Sequence, residues 1–139
     1  MKVSLTNNPS EIDDQVISDG LNRYNRQFSS GIFEPLSVYS RTKDDVIIGG
    51  LIGVSYGNWL HVSEFWVEEA FRGRSVGTRI LIAAEQEAIR RDCIGVTLDT
   101  YNFQSLEFYL KRGYLEFGSL SGYGGKYSRH YLQKLFATD

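Results

Sequence analysis

This sequence has a single cysteine and no excess of positive charge, and each of these features excludes a class of protein. The 139 residues include one cysteine, Cys93, so the chain cannot form an internal disulfide and does not require an oxidising compartment. Fifteen Lys and Arg residues against seventeen Asp and Glu residues give a net charge of −2. Because nucleic-acid-binding proteins usually carry a basic excess, we expect no nucleic-acid partner.

Long apolar runs are absent as well. No stretch is long enough to span a membrane, and the opening MKVSLTNNPS lacks the apolar core of a secretory signal, so we expect a cytoplasmic protein without a membrane partner. The chain has no internal repeat, low-complexity tract or Pro/Ser-rich linker. Its length is typical of one domain, and a hydrophobic content of 42% is enough for one core. We therefore predict a single domain over residues 1–139.

The first third of the chain predicts a short strand and then a helix. Residues 3–5 (VSL) are typical of a strand, and residues 10–13 (SEID) resemble a capping box at the start of a helix. Apolar residues recur after it at helical spacing. They are Ile12, Val16, Ile17, Leu21 and Tyr24.

From residue 36 the pattern changes to the alternation of β-strands. Residues 36–42, 46–57 and 58–67 predict three strands in an antiparallel meander. Three glycines interrupt the second strand: Gly49, Gly50 and Gly53. Glycine inside a strand often marks a bulge or the close approach of another backbone, so we expect one of these irregularities there.

The C-terminal half alternates helices and strands. Residues 78–91 predict a helix whose apolar face consists of Ile80, Leu81, Ala84 and Ala88. Residues 94–101 are rich in β-branched side chains and predict a strand. Residues 103–112 predict a second helix with Asn102 as its N-cap and Gly113 as its C-terminal stop.

Two closing strands are predicted over residues 114–120 and 130–136. The complete order is strand, helix, three strands, helix, strand, helix and two strands. This order predicts an α/β (α+β) fold with a mixed, mainly antiparallel sheet flanked by helices.

The loop between the third strand of the meander and the next helix, FRGRSVGT at residues 71–78, is typical of a loop that binds an anion. A helix N-terminus leaves backbone amides unpaired and carries a partial positive charge, which suits a phosphate. Gly73 and Gly77 allow the backbone to approach an anion, and Arg72 and Arg74 add charge. The spacing fits neither the dinucleotide loop nor the nucleoside-triphosphate loop. An ordinary strand-to-helix turn is the alternative.

A second segment, NFQSLEFYLKRGY at residues 102–114, follows the next predicted strand. Together the two segments resemble the GNAT superfamily of acyl-CoA-dependent N-acyltransferases. The family's loop reads [RQ]-x-x-G-x-[GA], and residues 72–77 match it except that Ser75 stands where a second glycine is common. The later family segment, N-x-x-[SA]-x-x-[FL]-Y-x-[KR]-x-G-[FY], is met by Asn102, Ser105, Phe108, Tyr109, Lys111, Gly113 and Tyr114. The resemblance covers residues 46–114 and implies a GNAT-like fold.

The resemblance implies acetyl-CoA as co-substrate. In such enzymes the strand before the loop separates from its neighbour and its backbone pairs with the pantetheine arm; the matching residues are Phe65, Trp66 and Val67. The pyrophosphate would lie on the amides of the loop, which are those of Arg72, Gly73, Arg74, Ser75, Val76, Gly77 and Thr78. Asn102 matches a position that contacts the cofactor arm, and a helix N-cap is its alternative role.

The resemblance also implies that Tyr109 is the acid that protonates the departing thiolate. A thiol has a reference pKa of about 8.5 and tyrosine one of about 10, so a nearby phenol can supply the proton. The alternative is a core aromatic residue on a helix that also carries Phe103, Leu106 and Phe108.

The general base is left open between His61, Glu64 and an ordered water molecule. His61 lies six residues before Val67, where some family members have a carboxylate base, and histidine titrates near neutral pH. Glu64 is an acid within an apolar run, which is unusual enough to indicate a site. Either side chain could instead face solvent from the strand.

Three other features have weaker signals. Cys93 has no histidine partner by any motif and is expected to be a buried structural thiol. His130 has no companion at metal-ligand spacing, so no metal site is predicted. The Gly/Tyr-rich residues 121–131 predict a hairpin that either rims the acceptor pocket or forms a surface turn.

The leading hypothesis is an N-acetyltransferase in which a primary amine attacks acetyl-CoA directly within a ternary complex. The alternative is a non-catalytic acyl-CoA-binding or regulatory module on the same fold. The acceptor would be a small-molecule or peptide amine, which the sequence does not identify. Family habit also favours a homodimer.

Ser75 provides a test of the loop geometry. If its φ is positive, serine costs about 1 kcal/mol relative to glycine. If its φ is negative, the amide still points at the phosphate and the hydroxyl adds a hydrogen bond. We predict the negative φ.

Overall fold

The structure is a computed structural model that describes residues 1–29 and 31–137. The chain divides into two compact units, residues 1–31 and residues 32–139. Within the described ranges, none of the helices combines the length and the apolar character needed to cross a bilayer.

The first unit is built on helix α1 (Glu11–Asn25). Ser10 is its N-cap, with Oγ accepting a hydrogen bond from the amide of Asp13 at 3.2 Å, as the SEID pattern predicts. No residue of α1 is buried, so its predicted apolar face is exposed. The predicted strand at residues 3–5 is wrong, since these residues are irregular and pair with none of the described strands. A strand forms only with a hydrogen-bonded neighbour.

The second unit is a six-stranded sheet, and helices connect some of its strands along the chain. Its elements in chain order are β1 (Glu34–Arg41), β2 (Ile47–Tyr56), β3 (Trp59–Val67), a 3₁₀ turn (Glu69–Phe71), α2 (Val76–Arg90), β4 (Gly95–Tyr101), α3 (Leu106–Leu110), β5 (Leu115–Tyr123) and β6 (Tyr127–Leu135). The strand order is β1-β2-β3-β4-β6-β5, and every neighbouring pair is antiparallel except β3 with β4. The predicted fold class is confirmed.

Helix α2 packs against the sheet through the apolar face that its sequence predicts. Its buried residues are Ile80, Leu81, Ala84 and Ala88. They share one core with buried strand residues, among them Leu51, Leu60, Val96, Leu98 and Leu132. Full burial of one such leucine contributes about 1.5–3 kcal/mol. This core holds α2 against β1, β2 and β3, and therefore fixes the position of its first turn.

Strands β3 and β4 pair only near their starts. The parallel ladder joins residues 59–61 to residues 95–97, whereas β3 continues to Val67 and β4 to Tyr101. Beyond the ladder the two strands separate. The separation leaves backbone groups of β3 free of β4, and it opens the sheet on that side.

A β-bulge on β3 changes which of its side chains face the core. Gly53 pairs with Val62 and Ile52 with Glu64, which leaves Ser63 as the extra residue. Leu60 and Val62 are buried before the bulge, and Phe65 and Val67 turn inward after it. A Cβ at Gly53 would lie 2.6 Å from the carbonyl oxygen of His61, so the close approach predicted for this strand is confirmed.

The second predicted helix is shorter than expected. Residues 102–105 form turns and α3 begins at Leu106, so the prediction of Asn102 as N-cap is wrong. The Asn102 side-chain oxygen instead accepts a hydrogen bond from the Ser128 amide at 3.2 Å, which ties the loop to β6. Gly113 adopts a φ of +90° after the helix, in the expected role.

Candidate active site

A cavity of about 870 Å³ opens where β3 and β4 separate. Its walls come from the ends of both strands, the loop before α2, the first turn of α2, and α3. Most of the predicted site residues line it: Glu64, Phe65, Trp66, Val67, Arg72, Gly73, Ser75, Val76, Gly77, Thr78 and Tyr109. Three predicted residues do not: His61, Arg74 and Asn102. The two sequence motifs are thus brought together in one cavity.

The loop before α2 uses two residues with positive φ. Gly73 has a φ of +75°, and Ser75, which directly precedes α2, has a φ of +63° and a ψ of +14°. The predicted negative φ at Ser75 is therefore wrong, and its hydroxyl makes no capping hydrogen bond. The first intrahelical bond runs from the Arg79 amide to the Ser75 carbonyl oxygen at 3.1 Å. The amides of residues 76–78 precede that bond and have no intrahelical partner.

Two arginines flank this first turn of α2. The Nε of Arg72 donates to the Val67 carbonyl oxygen at 3.0 Å, which ties the loop to the end of β3. Arg112, which the motif match does not assign, donates from Nε to Oγ1 of Thr78 at 3.1 Å. Arg112 lies just after α3, four residues beyond Phe108. An arginine at this helical spacing from an aromatic residue is the sequence signal that could have found it. The loop side of the cavity therefore carries positive charge and suits an anion.

Tyr109 is buried at the cavity wall, with only 6% of its surface exposed. Its ring packs edge-on against Phe65 at 6.1 Å and Tyr114 at 5.6 Å between ring centres. Tyr109 thus belongs to the hydrophobic core and also lines the cavity. Burial, and secondarily the charge of Asp99, raises the pKa of Tyr109 to about 12. Tyr109 is therefore protonated at neutral pH and can donate a hydrogen bond into the cavity.

Of the two candidate bases, Glu64 lines the cavity and His61 does not. His61 lies in the last residue pair of the parallel ladder, opposite Thr97. Glu64 lies beyond the bulge, where β3 has left β4. The cavity begins only after the ladder ends, and this explains why the structure brings one residue to the site and not the other.

Asp99 is a second acidic residue in the wall, and the sequence analysis missed it. Its Oδ1 accepts a hydrogen bond from Nε of Arg129 at 2.9 Å, and this bond raises the pKa of Arg129. Arg129 also donates to the Tyr123 hydroxyl at 3.1 Å. An acid inside a strand rich in β-branched residues is the signal that could have found Asp99, just as an acid within an apolar run indicated Glu64. The sheet side of the cavity thus presents two carboxylates.

Cys93 and His130 lie away from this cavity. Cys93 is buried as predicted, and burial raises the pKa of its thiol. The His130 ring contacts the Glu116 carboxylate through Nδ1 and the Ser128 hydroxyl through Nε2, the latter at 2.7 Å. Within residues 1–29 and 31–137, no group of three or more His, Cys, Asp or Glu side chains could hold a metal ion.

The fold and the paired motifs define an acetyltransferase of the GNAT type. The model of the acetyltransferase (GNAT) family matches residues 9–114, and the chain belongs to this family. The expectation of an acetyl-CoA-dependent acetyltransferase is thereby confirmed.

Two relatives and one solved structure support the assignment. The chain is 34% identical over 124 residues to acetyltransferase Atu2258 of Agrobacterium fabrum, covering 88% of this chain and 90% of the relative. It is 35% identical over 104 residues to blasticidin-S acetyltransferase of Streptomyces morookaense, covering 72% and 76%. The crystal structure of an acetyltransferase from Bacillus cereus superposes with a TM-score of 0.87 at 28% identity, covering 96% of this chain and 98% of that one.

Proposed function

We propose that the chain transfers an acetyl group from acetyl-CoA directly to a primary amine, with both substrates bound in the cavity at once. The observation that carries this proposal is the polarity of the cavity. Its loop side has the free amides of α2 and two arginines, whereas its sheet side has Glu64 and Asp99. An anionic cofactor and a cationic amine suit opposite sides of such a cavity.

The cofactor's pyrophosphate would bind the amides at the start of α2, beside Arg72. The pantetheine arm would run along β3, where residues 65–67 lie beyond the β3–β4 ladder. Backbone groups at that position are free to pair with the amides of the arm. An amide of β3 would also stabilise the oxyanion that forms as the thioester carbonyl is attacked.

In the transfer step, the amine nitrogen forms a bond to the thioester carbonyl carbon, and the carbon–sulfur bond breaks. The ammonium form of the acceptor must first lose a proton, which Glu64 accepts directly or through water. The thiolate leaves near Tyr109, whose phenol donates a hydrogen bond and then a proton to it, and the second proton that the attacking nitrogen loses restores the phenol through water, so that the products are a neutral amide and the CoA thiol. Burial raises the pKa of Tyr109 to about 12, which makes the phenol a weaker acid. It therefore stabilises the thiolate by a hydrogen bond before the proton is fully transferred.

Direct attack is favoured over an acetyl-cysteine intermediate by the position of the cysteine. Cys93 is the sole cysteine of the sequence and does not line the cavity. Burial also raises the pKa of its thiol, which lowers the fraction of reactive thiolate. A covalent relay through Cys93 would therefore lack both access and activation.

The acceptor is proposed as a small-molecule or peptide amine. The name of the Streptomyces relative gives blasticidin S as that protein's acceptor, and a small-molecule amine is our first expectation for this chain.

We also propose that residues 1–139 form one acetyltransferase domain, since the family match runs from residue 9 to residue 114 and includes parts of both units. A homodimer stays a prediction from the family, which light scattering would test.

The test is a screen of acetyl-CoA against classes of primary amine, with release of the free thiol as the readout. An accepted amine then allows initial rates to be measured at varied concentrations of both substrates. Intersecting double-reciprocal lines support the ternary complex, and parallel lines would contradict it. CoA binding without turnover of any amine would instead favour the non-catalytic module.

A further inference from the structure

The cavity is lined from both faces of the sheet. Successive residues of a strand point to opposite faces. On β4, Leu98 and Thr100 are buried and face α2. On β3, Phe65 and Val67 pack against the same core. The residues that alternate with these therefore face the side of the sheet away from α2. They are Glu64, Trp66, Asp99 and Tyr101, and all four line the cavity.

Four aromatic rings lie together on this side of the cavity. The ring centre of Tyr101 lies 5.2 Å from that of Phe103 and 5.3 Å from that of Tyr123. The ring centre of Phe103 lies 4.7 Å from that of Tyr127, at an interplanar angle of 70°. We call these four residues the aromatic shelf. Phe103 is 55% exposed, so the shelf still has apolar surface that a ligand can bury.

The aromatic shelf joins the Gly/Tyr-rich hairpin to the cavity wall. Tyr101 and Phe103 line the cavity, whereas Tyr123 ends β5 and Tyr127 begins β6. The sequence left open whether this hairpin borders the acceptor pocket or forms a surface turn. The ring contacts place it directly beside the residues that line the cavity.

The charges on this side of the cavity are not equally compensated. Within the part of the chain that the structure describes, the acids of the cavity wall are Glu64 and Asp99. Asp99 pairs with Arg129 at 2.9 Å, and the same guanidinium lies 5.7 Å from the ring centre of Tyr101. Glu64 forms no ion pair with any described residue. The wall therefore offers a cation one uncompensated carboxylate.

We propose that the aromatic shelf selects the acceptor, and that the acceptor is an aromatic primary amine whose flat ring packs on Phe103 while its ammonium group lies toward Glu64. This inference rests on the proposed function, because it names the substrate class of the same cavity. Tyr127 packs edge-on against Phe103 and acts as a positioning residue. A polyamine fits less well, since its further cations would need carboxylates and Asp99 is already paired.

Three amines test this preference, with release of the CoA thiol as the readout. They are 2-phenylethylamine, 2-cyclohexylethylamine and butane-1,4-diamine. The first two share a chain length and differ in the flatness of the ring. We expect kcat/KM for 2-phenylethylamine to exceed that for 2-cyclohexylethylamine by about fivefold to tenfold, mainly through KM, as for one aromatic pair. The diamine should be the poorest of the three substrates.

Variants of the aromatic shelf separate its role in selection from a role in folding. Phe103→Leu and Tyr127→Leu should bring kcat/KM for the two ring amines to within about twofold of each other, because each removes one aromatic pair. Tyr127→Phe keeps the ring and should keep the preference. Phe117→Leu is the matched control, since Phe117 is an exposed aromatic residue of β5 outside the cavity wall. Thermal unfolding shows that each variant is folded, and Tyr127→Leu serves if Phe103→Leu is not.

Equal kcat/KM for the two ring amines in the wild type would overturn the inference alone, as would a preference for the diamine. A ring preference that persists in both leucine variants would also overturn it. A raised KM for acetyl-CoA with an unchanged ring preference would assign the shelf to the cofactor and overturn it as well. Turnover of no amine of any class would overturn the proposed function together with this inference.

Discussion

His61 of β3 lies opposite Thr97 of β4 in the last residue pair before the two strands separate. Glu64, three residues later, lies in the wall of the cavity that the separation opens. The distinction matters because the sequence leaves both residues open as the general base. A difference of three residues along one strand decides which side chain lines the cavity.

We predict that Glu64→Gln lowers kcat/KM for the amine by about 10²-fold at neutral pH, the lower end for a general base. The reason is that the amide cannot accept a proton. His61→Gln is the matched control on the same strand and should retain activity. Full pH–rate profiles of both variants check the assignment; an unchanged Glu64→Gln profile would leave ordered water as the base.

Tyr109→Phe should lower kcat by about 10²-fold with little change in the KM for acetyl-CoA. Phenylalanine keeps the ring that packs against Phe65 and Tyr114 but removes the hydroxyl that we propose donates to the leaving thiolate. Steady-state kinetics measure the catalytic role of Tyr109, and thermal unfolding of the same variant measures its packing role in the core. Wild-type turnover in a folded Tyr109→Phe variant would show that the residue serves the core alone.

The raised pKa of Tyr109 predicts a loss of stability at high pH. Its pKa is about 12 in the folded protein, against about 10 for the free side chain. Below pH 10 the phenol is protonated in both states, and its contribution to stability is complete. Between about pH 10 and pH 12 the unfolded state releases the proton first, so stability falls, by up to about 3 kcal/mol for a two-unit shift.

Urea unfolding at several pH values between 8 and 12 checks this decline. Tyr109→Phe removes the titrating group and should flatten the curve in that range. Tyr114 remains in the variant, and burial together with the charge of Glu85 also raises its pKa. Part of the decline should therefore persist, and an identical curve for the variant and the wild type would contradict the prediction.

Ser75→Gly should stabilise the protein by about 1 kcal/mol, because glycine adopts a positive φ without the steric cost that a Cβ brings. CoA binding should tighten by less than tenfold, since the backbone already has the required conformation. Ser75→Ala is the control: it keeps the Cβ and removes a hydroxyl that makes no capping bond, so its stability should match wild type. Denaturant midpoints and calorimetry with CoA measure both effects, and a destabilised Ser75→Gly variant would contradict them.

Local features of the fold were predictable from the sequence. The N-cap at Ser10, the buried face of α2 and the stop at Gly113 all follow from spacing over a few residues. The strand at residues 3–5 was predicted wrongly because three apolar residues cannot show whether a neighbouring strand exists. The helix start at Asn102 was wrong because a long-range hydrogen bond to Ser128 engages its side chain instead.

The sequence by itself therefore determined the order of helices and strands from α1 onward, the family and the two segments that meet at the cavity, since these depend on local periodicity and short motifs. The tertiary structure alone decided which candidate base lines the cavity, the positive φ of Ser75, the pairing of Asp99 with Arg129, and the contact of Arg112 with Thr78. The two side-chain contacts join residues at least 30 positions apart. The placement of His61 and Glu64 relative to the cavity depends on where two strands separate. Such relationships arise from packing and hydrogen bonding between elements, and no local pattern of residue types encodes them.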